Sequence, residues 1–94
     1  MDSIPYCTHQ FSRPSNHALV RMRQRSIPHE VVGYLLDFAK AVPAGQRAER
    51  HLFDRSSWQH LAAFLGGRTK EIERYRNTFA IVANGVVVTV GWRH

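Results

Sequence analysis

The sequence predicts an α+β fold in which N-terminal helices pack on a small antiparallel sheet that ends in a hairpin. Three observations predict it. The first third carries helix-period apolar residues (Ala18, Leu19 and Met22, then Val31, Val32, Leu35, Leu36 and Ala39). The last segment reads as two β-rich runs around Asn84-Gly85. Between them lie a short alternating segment and one further amphipathic stretch. The order that follows is α-α-β-α-(α)-β-β. The chain has 94 residues and 44% hydrophobic content, so it is read as one domain, 15–94, behind an irregular arm, 1–14.

Pro5 and Pro14 punctuate the arm, whose periodicity is weak, although Ile4, Tyr6 and Phe11 give it some apolar content. Ser15 is placed to cap a first helix over 16–25. Its apolar edge is Ala18, Leu19 and Met22, and His17, Arg21 and Arg25 stand four apart on the neighbouring stripe. Pro28 suits the first turn of a second helix over 28–40, with Glu30 near its positive end. Pro43 and Gly45 end that helix. A strand is expected at 47–54, where Glu49, His51 and Phe53 alternate onto one face, with Glu49 and His51 read as displayed on the surface. Asp54 or Ser56 starts a third helix over 55–65, with Trp58, Leu61, Ala62 and Leu65 on one side, and Gly66-Gly67 stops it. A short charged helix over 69–75 follows.

The hairpin pairs 78–83 with 86–92 through a type I′ turn, which needs positive φ at both central residues and therefore favours Asn-Gly. A regular register sets Ala83 against Val86 and Ile81 against Val88. Phe79, Ile81, Val88 and Val90 then share one face, and Thr89 and Arg93 fall on the other with Ala80 and Val82.

The charge narrows the function. Thirteen Lys+Arg against seven Asp+Glu give +6, and the basic residues are eleven Arg and two Lys. Guanidinium is a planar fork suited to phosphate, so the balance favours an anionic partner, either nucleic acid or an acidic protein. The charge is spread along both halves of the chain, so only folding can gather it into a patch. The lone Cys7 excludes a disulfide scaffold and points to a reducing cytoplasm. No apolar run reaches membrane-spanning length and no secretory leader is expected. The glycine-rich phosphate loop of nucleotide-binding domains is missing. Six histidines (His9, His17, His29, His51, His60, His94) include no helical i, i+4 pair, so no metal site is expected. Cys7 is read as a free thiol and not as a nucleophile, since no local signature surrounds it.

Two constellations carry chemistry. The helix stripe His17, Arg21 and Arg25, with Arg23 nearby, offers guanidiniums for phosphate and an imidazole for proton transfer. The blander alternative is a solvated face whose arginine stems cover apolar surface. At the other end of the chain, Thr89 and Arg93 form an anion clamp, or mark only the point where the strand leaves the core.

The run from His17-Ala18 through Arg21-Met22-Arg23 to Arg25-Ser26-Ile27-Pro28 resembles the opening of a set of short bacterial proteins catalogued as a domain of unknown function. The resemblance extends to Phe53-Asp54-Arg55 and to Val88-Thr89-Val90-Gly91-Trp92-Arg93, and covers residues 12–93. That set is placed near the RelE, ParE and BrnT toxins. The resemblance implies helices on a curved antiparallel sheet and metal-independent, cofactor-free RNA cleavage by the ribose 2′-hydroxyl. On it, His17, Arg21 and Arg93 are the catalytic residues, and Arg21, Arg25, Arg93 and Thr89 bind phosphate. It also implies RNA as substrate and an acidic antitoxin as partner. Two residues depart from the pattern: Ser26 replaces a common Gly, and Trp92 replaces a polar residue, often His. The second departure favours an alternative, a non-catalytic basic module that binds nucleic acid or an acidic protein.

Overall fold

A computed structural model describes residues 13–93. Residues 1–12 of the arm, with Cys7 and His9, and the terminal His94 lie outside the described residues. The elements are β1 (Arg13–Pro14), α1 (Asn16–Gln24), α2 (His29–Phe38), β2 (Lys40–Pro43), β3 (Ala48–Leu52), α3 (Arg55–Leu65), the single turn α4 (Thr69–Ile72), β4 (Thr78–Ala83) and β5 (Val86–Trp92). The fold is α+β, as the pattern predicts, with a five-stranded sheet in the order β1-β5-β4-β3-β2.

Two strands depart from the expected layout. Arg13–Pro14 belongs to the expected irregular arm, yet it pairs in parallel with Val86 and Val87 of β5, which makes the sheet mixed and not purely antiparallel. Lys40–Pro43 pairs antiparallel with β3, from Lys40 opposite Leu52 to Pro43 opposite Glu49, so the second helix stops at Phe38, short of the expected 40. Pro43 restricts the residue before it to extended backbone and suits the end of an edge strand. The segment is therefore a strand whose punctuation resembles a helix stop.

Local chemistry accounts for the helix ends. Ser15 accepts from the Ala18 amide at 3.0 Å and caps α1. The other end of α1 closes in a Schellman arrangement: the Ile27 amide donates to Met22 O at 2.8 Å and the Ser26 amide to Arg23 O at 3.3 Å. Ile27 and Met22, both buried, make the apolar contact that accompanies it. Ser26 consequently takes φ +55°, a left-handed conformation that glycine adopts more easily. Asp54 caps α3 in a reciprocal box, its carboxylate accepting from the Ser57 amide and the Ser57 hydroxyl receiving the Asp54 amide, each at 2.9 Å. The expected charged helix over 69–75 is instead α4 between two 3₁₀ turns, Gly66–Arg68 and Glu73–Tyr75, anchored by buried Ile72.

The core is one cluster. Ala18, Met22 and Ile27 meet Val31, Val32, Leu35 and Leu36 of α2, Trp58, Leu61 and Leu65 of α3, and Ala80, Val82, Val87 and Val90 of the sheet. The hairpin turn is as expected, with Asn84 at φ +53° and Gly85 at φ +75°. Its register is not. Ala83 opposes Val86 and Val82 opposes Val87, but Ile81 opposes Thr89, because Val88 is an extra residue in a β-bulge. The bulge moves everything after it to the opposite face. Val90 joins Ala80 and Val82 against the helices, and Thr89 and Gly91 join Ile81 and Phe79 on the face away from them. No helix among the described residues is long and apolar enough to cross a membrane.

Candidate functional site: a cationic cleft between the first helix and the last strand

The first helix runs alongside β5 in the same direction and is tied to it at both ends. At its start, the Ser15 amide donates to Val87 O at 2.9 Å and the Ser15 hydroxyl to O of the bulged Val88 at 3.3 Å. At its finish, Trp92 Nε1 donates to Arg25 O at 2.9 Å. The lengths agree: the ten residue steps from Ser15 to Arg25 rise about 15 Å, and the four strand steps from Val88 to Trp92 span about 13 Å. Trp92 faces Thr78 across the sheet and stacks on Tyr75, with centroids 5.7 Å apart and planes at 29°.

This fixed alignment brings the two ends of the chain together. His17, Arg21 and Arg25 from α1 and Thr89 and Arg93 from β5 line one cleft of about 410 Å³, with Arg50, Phe79, Val90, Gly91 and Trp92. All five residues singled out from the sequence are therefore neighbours. Among the described residues no carboxylate lines the cleft. Within it, Arg21 Nε donates to His17 Nε2 at 3.3 Å, and Arg21 also donates to Gln24 Oε1 at 3.2 Å. An imidazole that accepts at Nε2 carries its proton on Nδ1, the other ring nitrogen.

Arg50 is the member that sequence reading missed. It stands on β3 opposite Ile81, on the face away from Glu49 and His51. Its guanidinium carbon lies 4.5 Å from the centroid of Phe79. Phe79 can lie there because its cross-strand partner is Gly91, where a Cβ would meet Phe79 Cζ at 2.9 Å. Gly91, Phe79 and Arg50 thus form a stack that presents the guanidinium to the cleft. Among the described residues no acidic group pairs with Arg25, Arg50 or Arg93, and Arg50 Nε is covered without an acceptor. The signal available in the sequence was the alternation of 47–54, whose other face carries Arg50 and Leu52.

His51 contradicts its expected surface display. It is only 7% exposed, packed on the helix-facing side opposite Ala80, and among the described residues neither ring nitrogen has a hydrogen-bond partner. Its Nε2 lies 3.4 Å from Glu49 Oε1, close enough for an ion pair but without hydrogen-bond geometry. It is remote from the cleft in role: the strand that displays Arg50 on one face buries His51 on the other.

The fold and this cleft define an α+β protein with an arginine-lined groove beside the last strand. Comparison with protein-family models, curated proteins and solved structures gives no match.

Proposed function

We propose that the protein is a metal-independent endoribonuclease of the toxin type, with the cleft as its active site. One observation carries this reading: the His17, Arg21, Arg25 stripe and the Thr89, Arg93 pair, from opposite ends of the chain, line one groove without a carboxylate among the described residues. Four guanidiniums in a shared concavity favour a polyanion and raise its local concentration. They also match the charge that develops on a pentavalent phosphorane. In this reading Arg21 leaves His17 Nε2 for the phosphate, and Nε2, the ring nitrogen without a proton, takes the ribose 2′-hydroxyl proton. The hydroxyl oxygen attacks the adjacent phosphorus, the bond to the 5′-oxygen breaks, that oxygen takes a proton from solvent water, and the products are a 2′,3′-cyclic phosphate and a 5′-hydroxyl. Arg21, Arg25 and Arg93 hold the phosphate, and Thr89 orients it. An acidic protein would cover the same groove as an antitoxin by matching its charge.

A second reading, a non-catalytic binding module for nucleic acid or an acidic protein, is favoured by Trp92. The reaction needs both a base and an acid. The residue before Arg93 supplies neither, because an indole does not exchange a proton near neutral pH, and this one is held by Arg25 O and Tyr75. The test is induced expression of wild type against His17→Ala/Arg93→Ala, with growth and total RNA followed in the same cells. Purified protein is tested in parallel on labelled RNA with a chelator present. Growth arrest with RNA fragments ending in cyclic phosphate, abolished in the variant, supports the ribonuclease. Intact RNA together with tight, salt-sensitive binding supports the module.

A further inference from the structure

A second cleft adjoins the first. It measures about 390 Å³ and is lined by Arg50, Leu52, Asn77 and Arg93, so Arg50 and Arg93 belong to both. From its chemistry we infer that this second cleft is a guanine subsite, which reads one base of a single strand whose phosphate lies in the first. The inference rests on the polyanion reading of the main cleft and adds the base that it prefers.

The wall chemistry decides the class. Leu52 supplies an apolar surface and the Arg93 guanidinium a planar face, which together accept the flat side of a base and leave the fork of Arg50, whose own face lies on Phe79, for its edge. The polar groups are rich in donors: a guanidinium only donates, and neither guanidinium has an acidic partner among the described residues. The base that satisfies such a wall presents adjacent acceptors, and guanine O6 and N7 are the pair a guanidinium fork matches best. Asn77 supplies what the arginines lack. Its main-chain carbonyl accepts from the Arg93 amide at 2.6 Å, which fixes the residue at the cleft mouth. Its exposed side chain has no partner among the described residues, leaving the amide oxygen free to accept from the guanine N1 and N2 hydrogens. Adenine puts an amino donor where O6 would be, facing the arginines. Cytosine likewise presents an amino group there.

The experiment uses two fluorescein-labelled hexanucleotides with 2′-O-methyl riboses, which cannot be cleaved. One is all uridine and the other has a single central guanosine. Anisotropy titrations give the ratio of their affinities for the wild type, Asn77→Ala, Arg50→Lys and Arg21→Ala. Because each ratio is taken within one protein, a general loss of affinity cancels. A bidentate base contact discriminates by roughly five-fold to over a hundred-fold, so the wild type should favour the guanosine oligomer by at least about five-fold. Asn77→Ala and Arg50→Lys should bring the ratio toward one, since Lys keeps the charge but loses the fork. Asn77 is exposed, so its variant tests the idea even if Arg50→Lys fails to fold. A wild-type ratio near one overturns the guanine subsite. If binding to both oligomers still weakens in Arg21→Ala, the phosphate cleft survives that result. A ratio that persists in Asn77→Ala and in folded Arg50→Lys also overturns the subsite. Failure of both oligomers to bind overturns both readings.

Discussion

The link between Trp92 and the end of the first helix should be measurable apart from any activity. Trp92→Phe keeps an aromatic ring against Tyr75 but removes the Nε1 donor to Arg25 O, a bond of 2.9 Å in an exposed setting. Water can reach the freed carbonyl, so the loss is that of an ordinary hydrogen bond, about 1 kcal/mol. For a domain of this size that lowers the midpoint of thermal unfolding by roughly 4–8 °C. Trp92→Ala also removes the stacked ring and the burial of a half-buried indole, about 3 kcal/mol in total. Thermal unfolding followed by circular dichroism provides the first readout. The second is affinity for a single-stranded oligonucleotide. Releasing the last turn of α1 frees Arg25 and Arg21 from their alignment with Arg93, so binding should weaken in Trp92→Phe at a temperature where the variant is fully folded. A Trp92→Phe midpoint within about 1 °C of wild type would refute the claim that this bond ties α1 to β5. A normal midpoint shift with unchanged affinity would refute the claim that the tie positions the cleft.

Four further outcomes follow from the geometry. Ser26→Gly should raise the unfolding midpoint by a few degrees: relief of a left-handed non-glycine residue is worth about 1–2 kcal/mol, and the added freedom of the unfolded chain offsets about half. Each of Arg21→Ala, Arg25→Ala and Arg93→Ala should make the negative slope of log affinity against log salt shallower by about 0.7 for a single strand, and an unchanged slope in all three would remove the cleft as the phosphate site. Gly91→Ala should displace Phe79 and with it Arg50, weakening oligonucleotide binding far more than it weakens the fold, as read by anisotropy and thermal unfolding together. Asp54 is held below its ordinary value of 3.8 chiefly by the hydrogen bond from the Ser57 side chain, then by the Ser57 amide. A depressed folded value means that the carboxylate stabilises the fold above the unfolded value and loses that contribution as pH falls through the folded one. Asparagine in its place would still cap the helix without titrating. The wild type's advantage over Asp54→Asn in thermal midpoint should therefore be full above about pH 4–5 and shrink in stronger acid; a constant gap down to about pH 2 would contradict this.

Much of this architecture is legible from local rules, because local physics produces it. The apolar spacing of 18–22 and 31–36 makes helices that bury Ala18, Met22, Val31, Val32, Leu35 and Leu36 and leave Leu19 half-buried. Asn84-Gly85 makes the hairpin turn because few other pairs accept two positive φ values. Asp54 and Ser15 cap because their side-chain oxygens reach amides two or three residues on. The helix stripe His17, Arg21 and Arg25 and the terminal-strand pair Thr89 and Arg93 were also legible as cleft residues, whereas Arg50 was not. What the chain by itself could not determine was set by partners distant in sequence. Lys40–Pro43 is a strand because the edge of β3 offers it hydrogen bonds, and Arg13–Pro14 because β5 does. Above all, five consecutive β-formers, Val86 to Val90, carry no mark of which one will bulge. Side-chain direction alternates with a period of two, so one extra residue at Val88 reverses every face assignment beyond it. That reversal turns Arg93 toward Arg50 and lets Trp92 reach Arg25. Sequence supplied the cationic groups; only the packing of α1 along a bulged β5 decided that they would share one groove.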